Sequence, residues 1–345
     1  MRLVLTFSLI LLMLMCGDVC RVFAEAPTTP KILFTSTRDG NREIYMMNPD
    51  GSEQVNLTQH LADDLEAAWS PTGEQILFVS DRQRKGVRDL YLMDPDGSNI
   101  RRVFKRKIKA NKRSPTWSPD GKRFAYVYRD WDRRKSSLHL GRFGEEDVES
   151  LRYVGSPAWS PDGSEIAGSV SHVLGARLIF INVDTRGREQ PIPDRTLPWQ
   201  YLPSWSTAGD RLAITGNKHP RPAIGDKELD EARELHEAWN DKFTVYIVNR
   251  DGTGLRQLLD EAGPDVRVAA LAPDGSEVLY TQETNGHDQL FKLNINSGVR
   301  MQLTHVAGPS HQANHQGDWF DPAYALPVSP QPALLTTTWG QLKKK

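Results

Sequence analysis

The densest group of residues that could do chemistry in this sequence is basic. Residues 82–135 hold eighteen Lys or Arg against six Asp, a local net charge of +12 in a chain whose overall net charge is −1. A cluster of cations with a tryptophan suits docking of a negatively charged partner, because complementary charge orients binding. The residues we expect to contact such a partner are Arg82, Arg84, Lys85, Arg113, Arg129, Trp131, Arg133, Arg134 and Lys135. The alternative is a solvated surface that is rich in lysine and arginine.

A second, sparser group of residues could carry out acid–base chemistry. His305, His311 and His315 lie close together in a segment that contains glycine, and Asp318 follows them. Their spacings of six and four fit no helical pair of metal-binding histidines, and no Glu or Cys completes a ligand set. An enzyme that acts on polysaccharide, a lyase or hydrolase, is the alternative to a binding protein. Its site would be formed by His311, His315, Asp318 and Arg113.

Two further groups have a structural explanation beside a functional one. Asp63, Asp64 and Glu66 could hold a cation, but solvated carboxylates are the commoner explanation of such a cluster, and we predict no cofactor and no metal site. Five of the nine tryptophans share one position of an internal repeat, which favours packing in the core. Trp131 and Trp199 lie outside that position and are the better candidates for contact with a ligand.

The repeat that carries those tryptophans has the period of a propeller blade. WSPDG stands at 117–121 and at 159–163, and looser copies begin at Trp69, Trp205 and Leu271. The copies are 42 to 66 residues apart, and short β-rich runs and Asp-Gly turns follow them. Four strands joined by hairpins within each period predict one blade of a β-propeller.

These residues resemble the TolB-type, WD40-like (PD40) β-propeller repeats, in which a tryptophan-serine-proline-aspartate-glycine turn precedes a strand. The resemblance covers about residues 30–322 and implies an all-β fold. It also implies a role in the cell envelope, since TolB works there by docking a peptidoglycan-associated lipoprotein. The first predicted strand begins at about Lys31, so the separate N-terminal domain that precedes the TolB propeller is not expected here. What the resemblance implies for this chain is the binding-scaffold role.

We call the Trp or Leu that begins each copy of the repeat its anchor, and counting the anchors predicts six blades. The N-terminal part supplies three strands without an anchor strand before them, and Trp319 is an anchor without strands after it. One strand from the C-terminal part beside three from the N-terminal part would form a shared closing blade and leave no free sheet edge. Residues 30–322 are therefore predicted to form a six-bladed propeller, and residues 323–345 a C-terminal tail.

One helix is predicted to interrupt the pattern, inserted in blade five over residues 218–241. Asp226 can cap it, and apolar residues recur at helical spacing at Leu229, Ala232, Leu235 and Trp239. We expect this helix to pack on the surface of the propeller, and docking of a partner is the alternative.

Loop lengths predict which face of the propeller binds. When the strands of a blade are labelled a to d outward from the channel, the a–b and c–d connections are uniform tight turns. The b–c and d–a connections vary in length and charge, and they lie together on the opposite face. Most of the basic cluster falls in such loops of blades two and three. We therefore predict that this face, with the mouth of the channel, is the binding face.

The N-terminal residues predict export. Arg2, an apolar run over residues 3–15 and a small-residue site at 22–24 are typical of a cleaved signal peptide over residues 1–24. Both cysteines of the chain lie in this segment, and no later stretch is long and apolar enough to span a bilayer. We expect a monomer located in the periplasm or secreted.

The sequence thus favours an exported, non-enzymatic scaffold that binds a partner of the cell envelope. That partner would be a protein, an acidic glycan or an anionic lipid headgroup. Nucleic acid is disfavoured as a partner because the protein is exported. The polysaccharide-active lyase or hydrolase with its site at the channel mouth remains the alternative.

Overall fold

Short strands connected by hairpins make up most of the chain in the computed structural model. The structure describes residues 24–106, 110–130, 135–172, 175–193, 195–223, 225, 228–261, 263–307 and 312–327. Several sequence predictions lie outside these residues: the signal peptide up to residue 23, Trp131, Arg133, Arg134, Asp226, His311 and the tail from residue 328.

The described strands form four four-stranded sheets and one eight-stranded sheet. The first three strands are β1 (Lys31–Ser36), β2 (Glu43–Met47) and β3 (Val55–Asn56). They are followed by β4 (Asp64–Trp69), β5 (Ile76–Ser80), β6 (Asp89–Met93), β7 (Arg101–Arg102), β8 (Ala110–Trp117), β9 (Arg123–Asp130), β10 (Lys135–Arg142) and β11 (Val148–Leu151). Next come β12 (Gly155–Trp159), β13 (Glu165–His172), β14 (Gly175–Asn182), β15 (Arg188–Glu189), β16 (Trp199–Trp205), β17 (Arg211–Asn217), β18 (Thr244–Asn249) and β19 (Arg256–Gln257). The last strands are β20 (Val266–Leu271), β21 (Glu277–Thr284), β22 (His287–Asn294), β23 (Arg300–Gln302) and β24 (Asn314–Phe320).

Strand β24 belongs to the same sheet as the first three strands, in the order β24-β1-β2-β3. We call this sheet the closing sheet. β24 pairs antiparallel with β1, from Lys31 opposite Phe320 to Ser36 opposite Asn314. The inner strands β4, β8, β12, β16, β20 and β24 each contact the next one, and β24 contacts β4. They surround a central channel, so the chain folds as a β-propeller.

The repeated serine explains why the turn after each inner strand is tight. The Ser118 hydroxyl accepts a hydrogen bond from the Arg123 backbone N–H at 2.8 Å, and Ser160 accepts one from Glu165 at 2.9 Å. The glycine of the turn at 117–121 takes a φ of +68°, which other residues adopt only under strain. The motif therefore fixes the connection between the first two strands of a blade.

The repeat tryptophans pack between neighbouring sheets. Trp69, Trp117 and Trp159 are buried, which confirms the predicted core role for these three, while Trp205 and Trp319 are partly buried. The Trp69 ring lies 5.3 Å from the ring of Phe320 in the closing sheet. Burial of these rings supplies apolar contact between one sheet and the next.

The inserted helix, α1 (Leu229–Asn240), is shorter than predicted and is held by its last turn. Leu229, which we expected on the packing face, is 88% exposed, and among the helical residues only Trp239 is buried. The Trp239 indole N–H donates to the His219 carbonyl at 3.1 Å, and Asn217 donates to the Trp239 carbonyl at 2.8 Å. The packing prediction is therefore wrong for the first turn, because these anchoring contacts come from the end of the helix. Within the described residues, no helix has the length and apolar character needed to cross a membrane.

Candidate functional site

The inner strands carry the same backbone irregularity where they line the channel. Each of Glu66, Ser114, Ser156, Leu202 and Gln316 lies three residues before a repeat anchor and has a φ between +49° and +56°. The strand registers shift at the same places. Such bulges strain non-glycine residues and are typical of functional sites. We call these five positions the bulge ring.

The bulge ring lines a channel cavity of about 410 Å³. His315, Arg267 and Thr281 also line it. The side chains of the ring are of four kinds: one carboxylate, two hydroxyls, one aliphatic group and one amide. The backbone is therefore repeated around the channel, but the chemistry is not.

Glu66 connects three inner strands through its carboxylate. One oxygen accepts the Ser114 backbone N–H at 2.5 Å, and the other accepts the Gln316 side-chain amide at 3.3 Å. The Arg113 guanidinium lies 3.6 Å from the same carboxylate. Because Glu66 is only 9% exposed, these partners compensate for the loss of water around its charge.

Asp63, Asp64 and Glu66, which we expected to be solvated carboxylates rather than a cation site, have separate partners, and Asp64 and Glu66 are buried. Each has its own arginine: Asp63 pairs with Arg42 at 3.0 Å, Asp64 with Arg82 at 2.7 Å, and Glu66 with Arg113 at 3.6 Å. Burial raises the pKa of Asp64 to about 6, against the opposing effects of Ser80 and Arg82. In the part of the chain that the structure describes, no three His, Cys, Asp or Glu side chains are arranged to hold a metal ion.

Arg82 and Lys112 are basic residues of the sequence cluster whose side chains are largely covered. Arg82, predicted to contact a partner, has a side chain only 14% exposed, and its guanidinium lies 5.4 Å from the Phe78 ring centroid and 5.2 Å from that of Tyr91. Lys112 is 1% exposed and pairs with Asp89 at 2.6 Å. The Asp64 carboxylate and two aromatic rings thus hold Arg82 within its own blade, and its contact with a partner stays a prediction.

The remaining described members of the predicted binding set are accessible. Arg84 and Lys85 are exposed in the connection between β5 and β6, and Arg129 and Lys135 are exposed on β9 and β10. Arg113 is 42% exposed beside Glu66. Burial lowers the pKa of Arg88, and the nearby positive charge of Arg113 lowers it further. The base of the β5–β6 connection therefore lies close to the channel residues of β8.

Two described residues of the catalytic alternative, Asp318 and Arg113, are engaged by other groups. Asp318 accepts the Trp69 backbone N–H at 2.7 Å and the Trp319 N–H at 3.0 Å, and burial raises its pKa to about 6. Arg113 faces Glu66, whereas His315 lines the channel. Because the Asp318 carboxylate is bound by two backbone donors, its role in this structure is to join sheets.

Asp318 is one case of a pattern that the sequence analysis missed. In three cases the side chain of the residue before an anchor accepts a hydrogen bond from the backbone N–H of the anchor in the next sheet. Asp318 accepts from Trp69, Thr116 accepts from Trp159 at 3.4 Å, and Ser204 accepts from Leu271 at 2.8 Å. Where this residue is Ala68 or Ala158, its carbonyl accepts the indole N–H of Trp117 or Trp205, at 3.1 Å in both cases. A short polar residue before the anchor is the signal that could have indicated it.

The channel opens toward the variable loops. A second cavity of about 780 Å³ lies between the closing sheet and the sheet β4–β7, and it shares His315 and Arg267 with the channel cavity. Its other charged lining residues are Arg42, Asp63, Asp81, Arg82, Lys85 and Asp288. We call the side formed by the b–c and d–a connections the loop face and the opposite side the turn face. A concavity of the loop face thus adjoins the channel mouth.

Comparison with known proteins agrees with this architecture. A family model described as the TolB beta propeller domain (PD40) matches residues 22–113. The Tol-Pal system protein TolB of Geobacter sulfurreducens is 36% identical over 75 residues, which cover 22% of this chain and 16% of that protein. The matched stretches span 35% or less of the curated relatives.

Solved structures extend the likeness over most of the chain. TolB from Acinetobacter baumannii superposes with a TM-score of 0.65 at 15% identity, covering 84% of this chain and 66% of that one. The chain is a TolB-like propeller. An oligogalacturonate lyase in complex with manganese has a TM-score of 0.52 at 16% identity, covering 81% of this chain and 76% of that chain. At such identities the likeness concerns the TolB-like fold alone.

Proposed function

We propose that this TolB-like propeller is an exported, non-enzymatic scaffold that binds a protein partner on its loop face, over the channel mouth. The observation that carries the proposal is the continuity of the two cavities through His315 and Arg267. A protruding segment of a partner could enter the channel while the rest of the partner contacts the surrounding loops. Concave surfaces formed by varied loops on a rigid scaffold are the usual place for binding.

Charge at the rim supports an acidic surface on that partner. Arg84 and Lys85 are exposed and belong to the loop next to the larger cavity, which Lys85 itself lines. Complementary charge at a rim mainly accelerates association and orients the partner, and its effect falls as salt rises.

Two further observations support a protein of the cell envelope as the partner. The sequence begins with the pattern of a secretory signal. A matched relative is named a Tol-Pal system protein, which is a name for a multi-component system. An acidic glycan and an anionic lipid headgroup are the other outcomes that the test distinguishes. The enzyme alternative gains no support from the described geometry, in which Asp318 and Arg113 have separate partners.

The test is capture of a partner from envelope extract with three forms of the chain. The forms are the wild type, the loop-face variant Arg84→Glu/Lys85→Glu and a control with the same charge change on the turn face, Lys122→Glu/Arg142→Glu. Lys122 and Arg142 are exposed at the opposite ends of the strands. We expect the loop-face variant to retain about tenfold less partner, by analogy with other charge reversals at interfaces, and the control to match the wild type.

Capture that is equal for all three forms would contradict the proposal. Protease treatment of the extract before capture tests the chemical class of the partner. Loss of the captured material after protease supports a protein, and its survival indicates a glycan or lipid.

A further inference from the structure

An aromatic cleft separate from the bulge ring lies between α1 and the strands β16 and β17. Its volume is about 520 Å³, within the range that holds a small molecule or a few sugar rings. Trp199, Tyr201, His236, Trp239 and Phe243 line it. We call it the helix cleft. Only Leu202 and Arg267 are shared with the lining of the channel cavity.

The rings of the helix cleft form walls at different angles. Trp199 and Trp239 are 4.9 Å apart at 74°, and Trp239 and Phe243 are 5.2 Å apart at 80°. Tyr201 lies 5.9 Å from Phe243. Trp199 and Trp239 are only 5% and 9% exposed, so the faces open to a ring-shaped ligand are mainly those of the partly buried Tyr201 and Phe243. Aromatic faces pack well against apolar C–H surface.

One wall also carries a hydrogen-bond donor without a partner. Trp199 is 5% exposed, and its indole N–H makes no hydrogen bond to any described residue. The Nδ1 atom of His236 is likewise buried without a hydrogen bond among the described residues. A buried donor without an acceptor is unfavourable, and most such groups in folded proteins are satisfied. A ligand that carries several oxygen atoms would supply the acceptor.

The charge around the helix cleft favours a negative ligand. Arg267 is paired with Asp265 at 2.6 Å, so their charges largely compensate. Arg221 lines the cleft, is exposed and has no ion pair with a residue that the structure describes. An aromatic cage for a quaternary ammonium would need the opposite charge. The unpaired guanidinium instead matches a carboxylate, which it can bind through two parallel hydrogen bonds.

We propose that the helix cleft binds an acidic saccharide, with a sugar ring against the aromatic walls, a ring oxygen or hydroxyl on the Trp199 N–H and a carboxylate on Arg221. This function is additional to partner binding on the loop face and does not depend on it. Helix α1 supplies Trp239 and His236 to the cleft, which gives the insertion a role beyond surface packing.

The test is calorimetric titration of the full chain with a hyaluronan tetrasaccharide, which contains glucuronic acid. The methyl ester of this tetrasaccharide lacks the negative charge but keeps the sugar rings, and cellotetraose is a neutral control. The peptide Asp-Trp-Asp tests whether the ligand is a protein instead. We expect the acid to bind at least tenfold more tightly than its ester or cellotetraose, because the ester cannot pair with Arg221.

Three variants locate the binding. Trp199→Phe keeps an aromatic ring but removes the N–H and should weaken binding about fivefold to tenfold. Arg221→Gln, at an exposed residue without an ion pair to the part of the chain that the structure describes, should weaken it about tenfold. Arg233→Gln is the control, because the Arg233 side chain is 74% exposed on α1 and is paired with Glu237. Its affinity should match the wild type.

The proposal is overturned if the acid fails to bind at millimolar concentration, or if acid and ester bind equally. Equal affinity of Arg221→Gln and the wild type would also overturn it, and this variant addresses the proposal even if Trp199→Phe folds poorly. Binding of the peptide alone, lost in Arg221→Gln, would replace the saccharide with a protein ligand.

Discussion

The two faces of the propeller use the repeat in different ways. On the turn face both backbone and side chains repeat, so that Ser118 and Ser160 make the same hydrogen bond in consecutive blades. At the channel the bulged backbone repeats, but the side chain changes from Glu66 to Ser156 to Leu202. The first kind of repetition builds the ring. The second keeps a scaffold constant while the chemistry of the site varies, and this is where we expect specificity to lie.

The largest effect should come from disturbing the turn face where it meets the closing sheet. A Cβ at Gly73 would lie 2.3 Å from the Phe320 ring, whereas a Cβ at Gly121 would meet no atom within 4 Å. Both glycines have a positive φ, so Gly73→Ala and Gly121→Ala share the same backbone strain. We expect about 1 kcal/mol lost for Gly121→Ala and about 3 kcal/mol for Gly73→Ala, because only the latter overpacks the core.

Urea denaturation measures both free energies of unfolding. Equal losses for the two variants would contradict the packing of Phe320 from β24 against this turn.

The second prediction concerns pH and the bond from Asp318 to Trp69. The pKa of Asp318 is raised to about 6 by burial, so the folded protein binds a proton there more readily than the unfolded chain does. Its contribution to stability is therefore full below about pH 4 and is lost as the pH rises through 6. In Asp318→Asn this contribution is absent.

The difference in unfolding free energy, Asp318→Asn minus wild type, should thus become more positive by on the order of 2 kcal/mol between pH 4 and pH 7. Other titrating groups, including Asp64, are common to both proteins and cancel. A difference that stays constant over this range would contradict the raised pKa of the buried carboxyl.

A third prediction compares two positions of the bulge ring. Glu66→Ala removes the acceptor of the Ser114 N–H and the partner of Arg113, and we expect a loss of about 1 to 2 kcal/mol in unfolding free energy. Ser156→Ala is the matched control, because it lies at the equivalent bulge and removes only a hydroxyl group. It should stay within about 0.5 kcal/mol of the wild type. Equal losses would mean that the bulge alone, and not the Glu66 carboxylate, joins these strands.

The smallest effect is expected at the start of the inserted helix. Leu229 is 88% exposed, so Leu229→Lys should change the unfolding free energy by less than about 0.5 kcal/mol. A loss above about 1 kcal/mol in thermal or urea unfolding would show that the first turn of α1 is packed after all.

Much of the fold could be predicted because the WSPDG motif is local. Its serine, aspartate and glycine act within five residues of one another, so the turns and the ends of the inner strands follow from the letters. The burial of the Arg82 and Lys112 side chains could not be predicted in this way. It depends on the carboxylates of Asp64 and Asp89, which other strands bring to them. A charged residue in a sequence is therefore read as exposed until its partner is known.

The bulge ring was missed for a similar reason. Glutamate, serine, leucine and glutamine share no side-chain type that favours a positive φ, and three of the five positions are marked only by a following proline, at 115, 157 and 203. The helix was found from its spacing, but the exposure of Leu229 depends on where the propeller surface ends. The role of Asp318 as a link between sheets could not be predicted either, because it depends on where the fold places the backbone N–H of Trp69.

The most direct test of the binding proposal is amide hydrogen exchange of the chain alone and in complex with the partner that it captures. If the partner covers the loop face, exchange should slow in the segments 57–63 and 81–88, which form loop-face connections near the channel mouth. The turns at 118–122 and 160–164 on the turn face should be unchanged. Slowed exchange at those turns, with the loop-face segments unaffected, would contradict the account.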